Sequence, residues 1–252
     1  MTLKIGDTEF RGFLFDLDDT IVPTQTLSAW QWAWRPRGPA LSERHALAAL
    51  RRAQHHWDRR RWRGLVGAEP AVDLEAYRQH LRETLWAIAG HPLPGLETEA
   101  VVTRFLKPMG DVERYDDALP AVERLRSAGV TVGIITPLPR ESARWMLHRA
   151  QLPEELLVLA GDDASATCLP AASAFRLALD RIQVTASESA FVGDLFWSDV
   201  RAATRLGISA VLLDRNGTWP KVGGRRIRGL AGLESNLAAE PVGDAANPEP
   251  PS

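Results

Sequence analysis

Between residues 115 and 213, short apolar runs rich in β-branched side chains alternate with helical stripes, and the links between them are brief. Few architectures accept such a pattern. A strand that is apolar on both faces must be covered on both faces, and the connections must return to run parallel, so the chain calls for helices packed on a parallel sheet. The expected strands are Val130–Thr136, Leu156–Leu159, Ala190–Asp194 and Ser209–Leu213, joined by an earlier run, Gly12–Asp16. Helices are expected around Leu119–Leu125, with Pro120 in the first turn and Gly129 as the stop, and over Ser142–Arg149, Ala171–Arg181 and Val200–Leu206. The class this predicts is an open parallel α/β core.

Parallel sheets of this kind carry their binding chemistry beyond the carboxyl ends of the strands. There the sequence gathers its acids. Asp16 and Asp18 follow the first run, Asp194 and Asp199 follow a later one, and Thr136 ends the run between them. Any single Asp-x-Asp is ordinarily just an acidic turn. Two such groups, each closing a predicted parallel strand, point to a shared purpose, because clustered carboxylates repel unless a proton or cation lies between them. A hard divalent cation with oxygen ligands resolves the repulsion, and Mg²⁺ would also suit a phosphate substrate.

Residues 22–110 differ in composition. They hold 13 basic and 8 acidic side chains, an excess of +5 in a chain whose net charge is -2, and six of its nine tryptophans. Leu47, Leu50 and Trp57, with Ser42 as N-cap, mark one helix; Tyr77, Leu81 and Leu85 mark another; Ala100, Phe105 and Leu106 mark a third after Pro94-Gly95. The stretch therefore reads as an inserted helical module. Within it, the Arg59–Arg63 run is expected chiefly as a solvated helix end, with a substrate-facing patch as the lesser reading and nucleic-acid binding as the least. Trp30, Trp32 and Trp34 alternate in a way no single helix face accommodates, so hinge packing or an entrance wall is expected of them. His45, His55 and His56 lack the acidic partners that a second metal site would need.

Phe13-Leu14-Phe15-Asp16-Leu17-Asp18-Asp19-Thr20 resembles the first motif of the haloacid-dehalogenase-like (HAD) hydrolase superfamily in its phosphatase form. Gly193-Asp194-Leu195-Phe196-Trp197-Ser198-Asp199 resembles the last motif, and Ile134-Ile135-Thr136 stands where the second belongs. The likeness runs over roughly residues 11–214, and the helical module stands where the phosphoglycolate-phosphatase-like branch carries its cap. It implies a Rossmann-like core over 1–21 and 111–240, a cap over 22–110, and a loose tail over 241–252. It also implies roles. Asp16 would be the nucleophile forming an aspartyl-phosphate, and Asp18 the acid and then the base. Asp16, the backbone carbonyl of Asp18, and Asp194 would hold Mg²⁺, with Asp199 in support, and Thr136 would bind a phosphoryl oxygen. Dehalogenases of the superfamily lack an acid at the position of Asp18, so phosphoester cleavage is the implied reaction.

Two positions depart from the family pattern. Pro137 stands where asparagine is common, and Leu169, ahead of Pro170, stands where the family places a lysine. No lysine occurs between Lys107 and Lys221. Arg140 is the expected substitute at the phosphate, with Arg176 and the cap arginines as further candidates. The leading expectation is Mg²⁺-dependent hydrolysis of a small phosphorylated metabolite; the alternative is a catalytically impaired phosphate-binding or regulatory protein. The near-neutral charge weighs against nucleic acid as partner. A lone Cys168 excludes an internal disulfide and a cysteine-built zinc site, no apolar run reaches the roughly 18 residues of a membrane span, and the first residues do not pattern as a signal peptide, so a cytoplasmic enzyme or binding protein is expected. The sequence sets no oligomeric state.

Overall fold

The computed structural model describes residues 2–23, 30, 33–34, 43–65, 74–106, 114–163, 172–215, 217–219 and 222–239. Its centre is a six-stranded parallel sheet. In chain order the strands are β3 (Gly12–Asp16), β4 (Thr131–Ile135), β5 (Leu157–Leu159), β6 (Ser189–Gly193), β7 (Ser209–Leu213) and β8 (Arg226–Ile227), arranged in space as β5-β4-β3-β6-β7-β8. Each neighbouring pair runs parallel. A small antiparallel hairpin, β1 (Leu3–Ile5) and β2 (Thr8–Phe10), precedes them. Every residue of β3 is buried, as a central strand covered on both faces requires. Phe13, Leu14 and Phe15 are fully enclosed, and burying side chains of this size contributes about 1.5–3 kcal/mol each.

From β3 the chain winds outward through β4 and β5, then crosses back to lay β6 on the other side of β3. The winding direction therefore reverses between β3 and β6. Loops leaving those two strands diverge, and the gap between them is the crevice in which open α/β sheets bind ligands. Asp16 closes β3, and Asp194 follows β6 directly.

The helical insertion lies between β3 and β4. It contains α1 (Glu43–Leu65), α2 (Leu74–Ala89) and α3 (Gly95–Leu106). Tyr77, Leu81 and Leu85 line the buried side of α2, as their spacing predicts. On α1 the buried stripe is Ala46, Ala49, Leu50, Trp57 and Trp62, while Leu47 is 40% exposed. Small alanines rather than Leu47 make the close contact there. His80 stacks on Trp57 with ring centroids 4.6 Å apart, and burial pushes its pKa down to about 3, so it packs as a neutral ring. Trp30 is buried and stacks on Phe105 at 4.2 Å, which is the packing role; Trp32 and Ser42 lie outside the described residues.

The insertion leaves and rejoins the core at one place, where the Tyr115 amide donates to the Ile21 carbonyl at 3.1 Å. Arg215 ties this junction together. It donates to the Thr20 carbonyl and to Asp117, and its guanidinium lies 3.8 Å from the centre of the Tyr115 ring.

Helices α4 (Ala118–Ser127), α5 (Arg140–Arg149), α6 (Ala172–Ile182) and α7 (Ala202–Arg205) connect the strands near the expected positions, and α8 (Leu233–Ala238) follows β8. Gly129, at φ 82°, turns the chain after α4 in a conformation that only glycine adopts readily. A π-helical turn, Phe196–Arg201, precedes α7, where a plain helix from Val200 is expected. The 241–252 tail lies outside the described residues. No helix among those described is long and apolar enough to cross a membrane.

Candidate active site

A cleft of about 390 Å³, its mouth included, opens at the β3/β6 crevice. Asp16, Asp18, Asp19, Asp194, Leu195 and Pro137 line it from the core, and Gln54, Trp57, Arg61 and Tyr77 from the helical insertion. The insertion thus forms a cap over the carboxyl edge of the sheet.

Three carboxylates, those of Asp16, Asp194 and Asp199, place one oxygen each within 4.8 Å of one another. Asp16 reaches this point because it ends a buried strand, and it is itself only 6% exposed. Asp194 is fixed twice: its backbone carbonyl accepts from the Trp219 indole at 2.9 Å, and its carboxylate accepts from Gln54 at 2.5 Å. Asp199 folds back from the π-helical turn so that its Oδ2 accepts from the Leu195 amide at 3.2 Å. Gly193 makes that return possible. A Cβ at this position would stand 2.6 Å from Asp199 Oδ2, well inside contact distance.

Burial and mutual repulsion set the charge state of the cluster. Burial, then the charges of Asp199, Asp18 and Asp194, raise the Asp16 carboxyl well above its ordinary range. Burial followed by Asp19 and Asp199 does the same to Asp194. Asp199 is pushed up to about 6, chiefly by burial and against the pull of Arg61. Three clustered carboxyls in this state retain protons or take up a cation. Their donor set is all carboxylate oxygen, which suits a hard divalent ion such as Mg²⁺.

Asp18 enters the same cleft. Its carboxylate accepts from the Thr136 hydroxyl at 3.1 Å, and that hydroxyl in turn accepts from the Leu138 amide at 3.2 Å. Thr136 thus joins the end of β4 to the Asp18 loop. This loop is tight: the Asp19 amide donates to the Val22 carbonyl at 2.7 Å, and Asp19 itself adopts φ 57°.

Arg140 occupies a neighbouring position at the start of α5. Its guanidinium grips Asp163, with contacts of 2.6 and 2.8 Å from one nitrogen, and Arg181 reaches the same carboxylate. Burial acts to raise the Asp163 carboxyl, but these cations and the Ala160 amide outweigh it and hold it near 2. The segment with Cys168, Leu169 and Pro170 lies outside the described residues.

Gln54 and Asp58, cap residues of this site, are not among those singled out from the sequence; Tyr77 enters there only in a helical stripe and Arg61 only within the Arg59–Arg63 run. Asp58 is fully buried and accepts from the backbone amides of Trp197 and Ser198 at 2.8 and 2.7 Å, so a cap carboxylate closes the start of the π-helical turn. Arg61 is 4% exposed and stands 3.7 Å from Asp199. The run Arg59–Arg63 is therefore not simply a solvated helix end, since Arg61 and Trp62 face inward while Arg59 is exposed. The spacing 54, 58, 61 places these polar groups on one face of α1, and that periodicity was the available signal.

The haloacid dehalogenase-like hydrolase family model matches residues 10–207, which is most of the chain. A ribulose-1,5-bisphosphate 5-phosphatase from Halopiger xanaduensis is 26% identical over 216 residues, covering 80% of this chain and 83% of that protein. An (S)-2-haloacid dehalogenase from a Pseudomonas species is 28% identical over 120 residues, 48% of this chain and 52% of its own. Among solved structures, the magnesium-bound HAD-hydrolase YfnB of Bacillus subtilis superposes with a TM-score of 0.66 at 18% identity, covering 91% of this chain and 99% of that one. The motif order, the crevice acids and the extent of the family match lead to one assignment: this chain belongs to the haloacid dehalogenase-like hydrolase family.

Proposed function

We propose that the protein is a Mg²⁺-dependent phosphatase that hydrolyses a small phosphomonoester through an aspartyl-phosphate on Asp16. The observation that carries this reading is the second acid in the cleft: Asp18 lines the same space as Asp16 and is oriented by Thr136. A reaction that must protonate a leaving alkoxide needs such a group, whereas displacement of a halide does not.

In this mechanism an Asp16 carboxylate oxygen attacks phosphorus, and the bond from phosphorus to the ester oxygen breaks. Asp18, protonated, gives its proton to that oxygen as it leaves. The Asp18 carboxylate then takes a proton from water, the water oxygen attacks the phosphorus, and the Asp16 carboxylate is released with inorganic phosphate. Mg²⁺, when held by Asp16, Asp194 and the Asp18 carbonyl with Asp199 in support, would screen the carboxylates and the phosphoryl oxygens. The cap residues that wall the cleft would select the leaving group. The phosphoglycolate-phosphatase-like branch is the one we favour. Small phosphorylated metabolites are held inside cells, which agrees with a cytoplasmic enzyme.

A panel of phosphorylated metabolites, assayed for phosphate release with and without Mg²⁺, tests the proposal. Metal-dependent turnover that disappears in Asp16→Asn is the expected outcome. Phosphate or Mg²⁺ binding with no turnover on any compound would favour a regulatory phosphate-binding protein instead. Arg140→Ala, run on the same panel, tests whether Arg140 serves the phosphate as well as Asp163.

A further inference from the structure

The cleft is strongly acidic, and a phosphate monoester is itself an anion. Asp16, Asp18, Asp19 and Asp194 line the space, with Asp199 adjoining, and among the described residues the cationic side chain that lines it is Arg61. Arg140, the other candidate, is committed to Asp163 by a two-pronged contact and lies outside that lining. A guanidinium that is 4% exposed is expensive to bury unless it serves its surroundings, and the groups it faces are those of the crevice. Its charge opposes the upward shift of the Asp16, Asp194 and Asp199 carboxyls alike, so it acts on the whole cluster.

Arg61 is also held in place. One turn before it on α1, Asp58 is locked to the Trp197 and Ser198 amides, and two turns before it Gln54 is bonded to Asp194. Gln54, Asp58 and Arg61 form one polar stripe that docks the cap helix along the residues following β6. The guanidinium is therefore presented to the cleft by a helix that is fixed at two points.

We propose that Arg61 is the residue that supplies positive charge to the substrate's phosphoryl group, and that the cap delivers this charge only when α1 is docked on the 194–199 turn. The inference rests on the phosphatase reading above and adds a residue that the core motifs do not contain. As phosphate enters, the guanidinium shares its donors between Asp199 and a phosphoryl oxygen, a geometry to which its planar fork is suited. Because the charge comes from the cap, the phosphate site draws on both the core and the insertion.

The test uses wild type, Arg61→Ala, Arg61→Lys and the exposed-site control Arg59→Ala, all saturated with Mg²⁺. Two quantities are read: affinity for inorganic phosphate by calorimetry, and kcat and KM on a generic aryl phosphate. Circular dichroism and thermal unfolding check that each variant folds. Arg61→Ala is expected to lower kcat/KM by about 10²–10³-fold, the usual effect of removing one oriented charge donor, and to weaken phosphate binding in parallel. Millimolar guanidinium should restore part of both in Arg61→Ala and none in wild type, a response that a purely structural role would not give. Arg61→Lys should fall between the two and keeps the test available if the alanine variant unfolds. A folded Arg61→Ala with kcat/KM and phosphate affinity within about twofold of wild type overturns the inference and leaves the phosphatase reading standing. Lysine and alanine variants that lose only thermal stability overturn it in the same way. Wild type that neither turns over nor binds phosphate overturns both.

Discussion

Replacing Asp58 by alanine probes the joint between cap and core. The Asp58 carboxylate accepts two backbone amides, Trp197 at 2.8 Å and Ser198 at 2.7 Å, in a fully buried setting. Its removal leaves both donors enclosed without that acceptor, at about 1–3 kcal/mol each. Part is recovered, because burial of the carboxyl is unfavourable and raises its pKa despite those bonds and the nearby Arg61. A net loss of about 2–4 kcal/mol follows. For a protein of this size each kcal/mol lowers Tm by roughly 2–4 °C, so calorimetry should record a fall of about 4–16 °C. The damage should also be local: hydrogen exchange at the Trp197 and Ser198 amides should accelerate more than exchange in β3. Asp58→Asn, which keeps one acceptor oxygen, should lose roughly half as much. A stability change under about 0.5 kcal/mol with unchanged exchange at those two amides would refute the claim that Asp58 fastens the cap.

Gly193→Ala forces a methyl group to within 2.6 Å of Asp199 Oδ2 and 2.8 Å of the Phe191 ring. Overpacking of this kind costs about 1–3 kcal/mol, and titration calorimetry should show weakened Mg²⁺ binding as Asp199 is displaced. Proton linkage gives a second outcome. Asp199 has a folded-state pKa of about 6 against an ordinary 3.8, with Asp16 and Asp194 shifted in the same direction. The metal-free fold therefore keeps its protons, and their stabilising contribution is present below about pH 4 and lost as pH rises through about 6. Mg²⁺ held as proposed would compete with those protons, so the Tm gain from saturating Mg²⁺ should be larger above pH 6 than below it, with protons released on binding.

Much of the core was legible in the sequence because its signals are local. A strand such as Gly12–Asp16 is apolar throughout and ends in a carboxylate, and that alone predicts a central strand with chemistry at its tip. The hairpin Leu3–Ile5 and Thr8–Phe10 and the two-residue strand Arg226–Ile227 left no comparable mark, since two or three residues do not establish a period. At the site, Asp16, Asp18, Thr136, Asp194 and Asp199 announce themselves by position after strands. The orientation of the cap residues did not. Whether Arg61 points outward with Arg59 or inward toward Asp199 depends on how α1 lies on the core, which is a tertiary fact. Gln54 and Asp58 would have hinted at it, as a polar stripe on a helix whose same side carries Trp57 and Trp62 is hard to reconcile with simple solvation. Arg140 shows the converse. Its nearness in sequence to Thr136 suggested the phosphate site, while in the fold the Asp163 carboxylate engages its guanidinium.

The proposed mechanism turns on Asp16 as the nucleophile that takes the phosphoryl group. Rapid acid quenching of the Mg²⁺-loaded enzyme during turnover, followed by borohydride reduction and peptide mass spectrometry, reads this directly. An acyl phosphate on an aspartate is reduced to homoserine, whereas a free carboxylate is not. The expected result is homoserine at position 16 in wild type, in greater yield in Asp18→Asn acting on an aryl phosphate, whose phenolate leaves without a proton while the second step lacks its base. Turnover of substrate with unmodified Asp16 at every quench time, or homoserine at another aspartate, would contradict it.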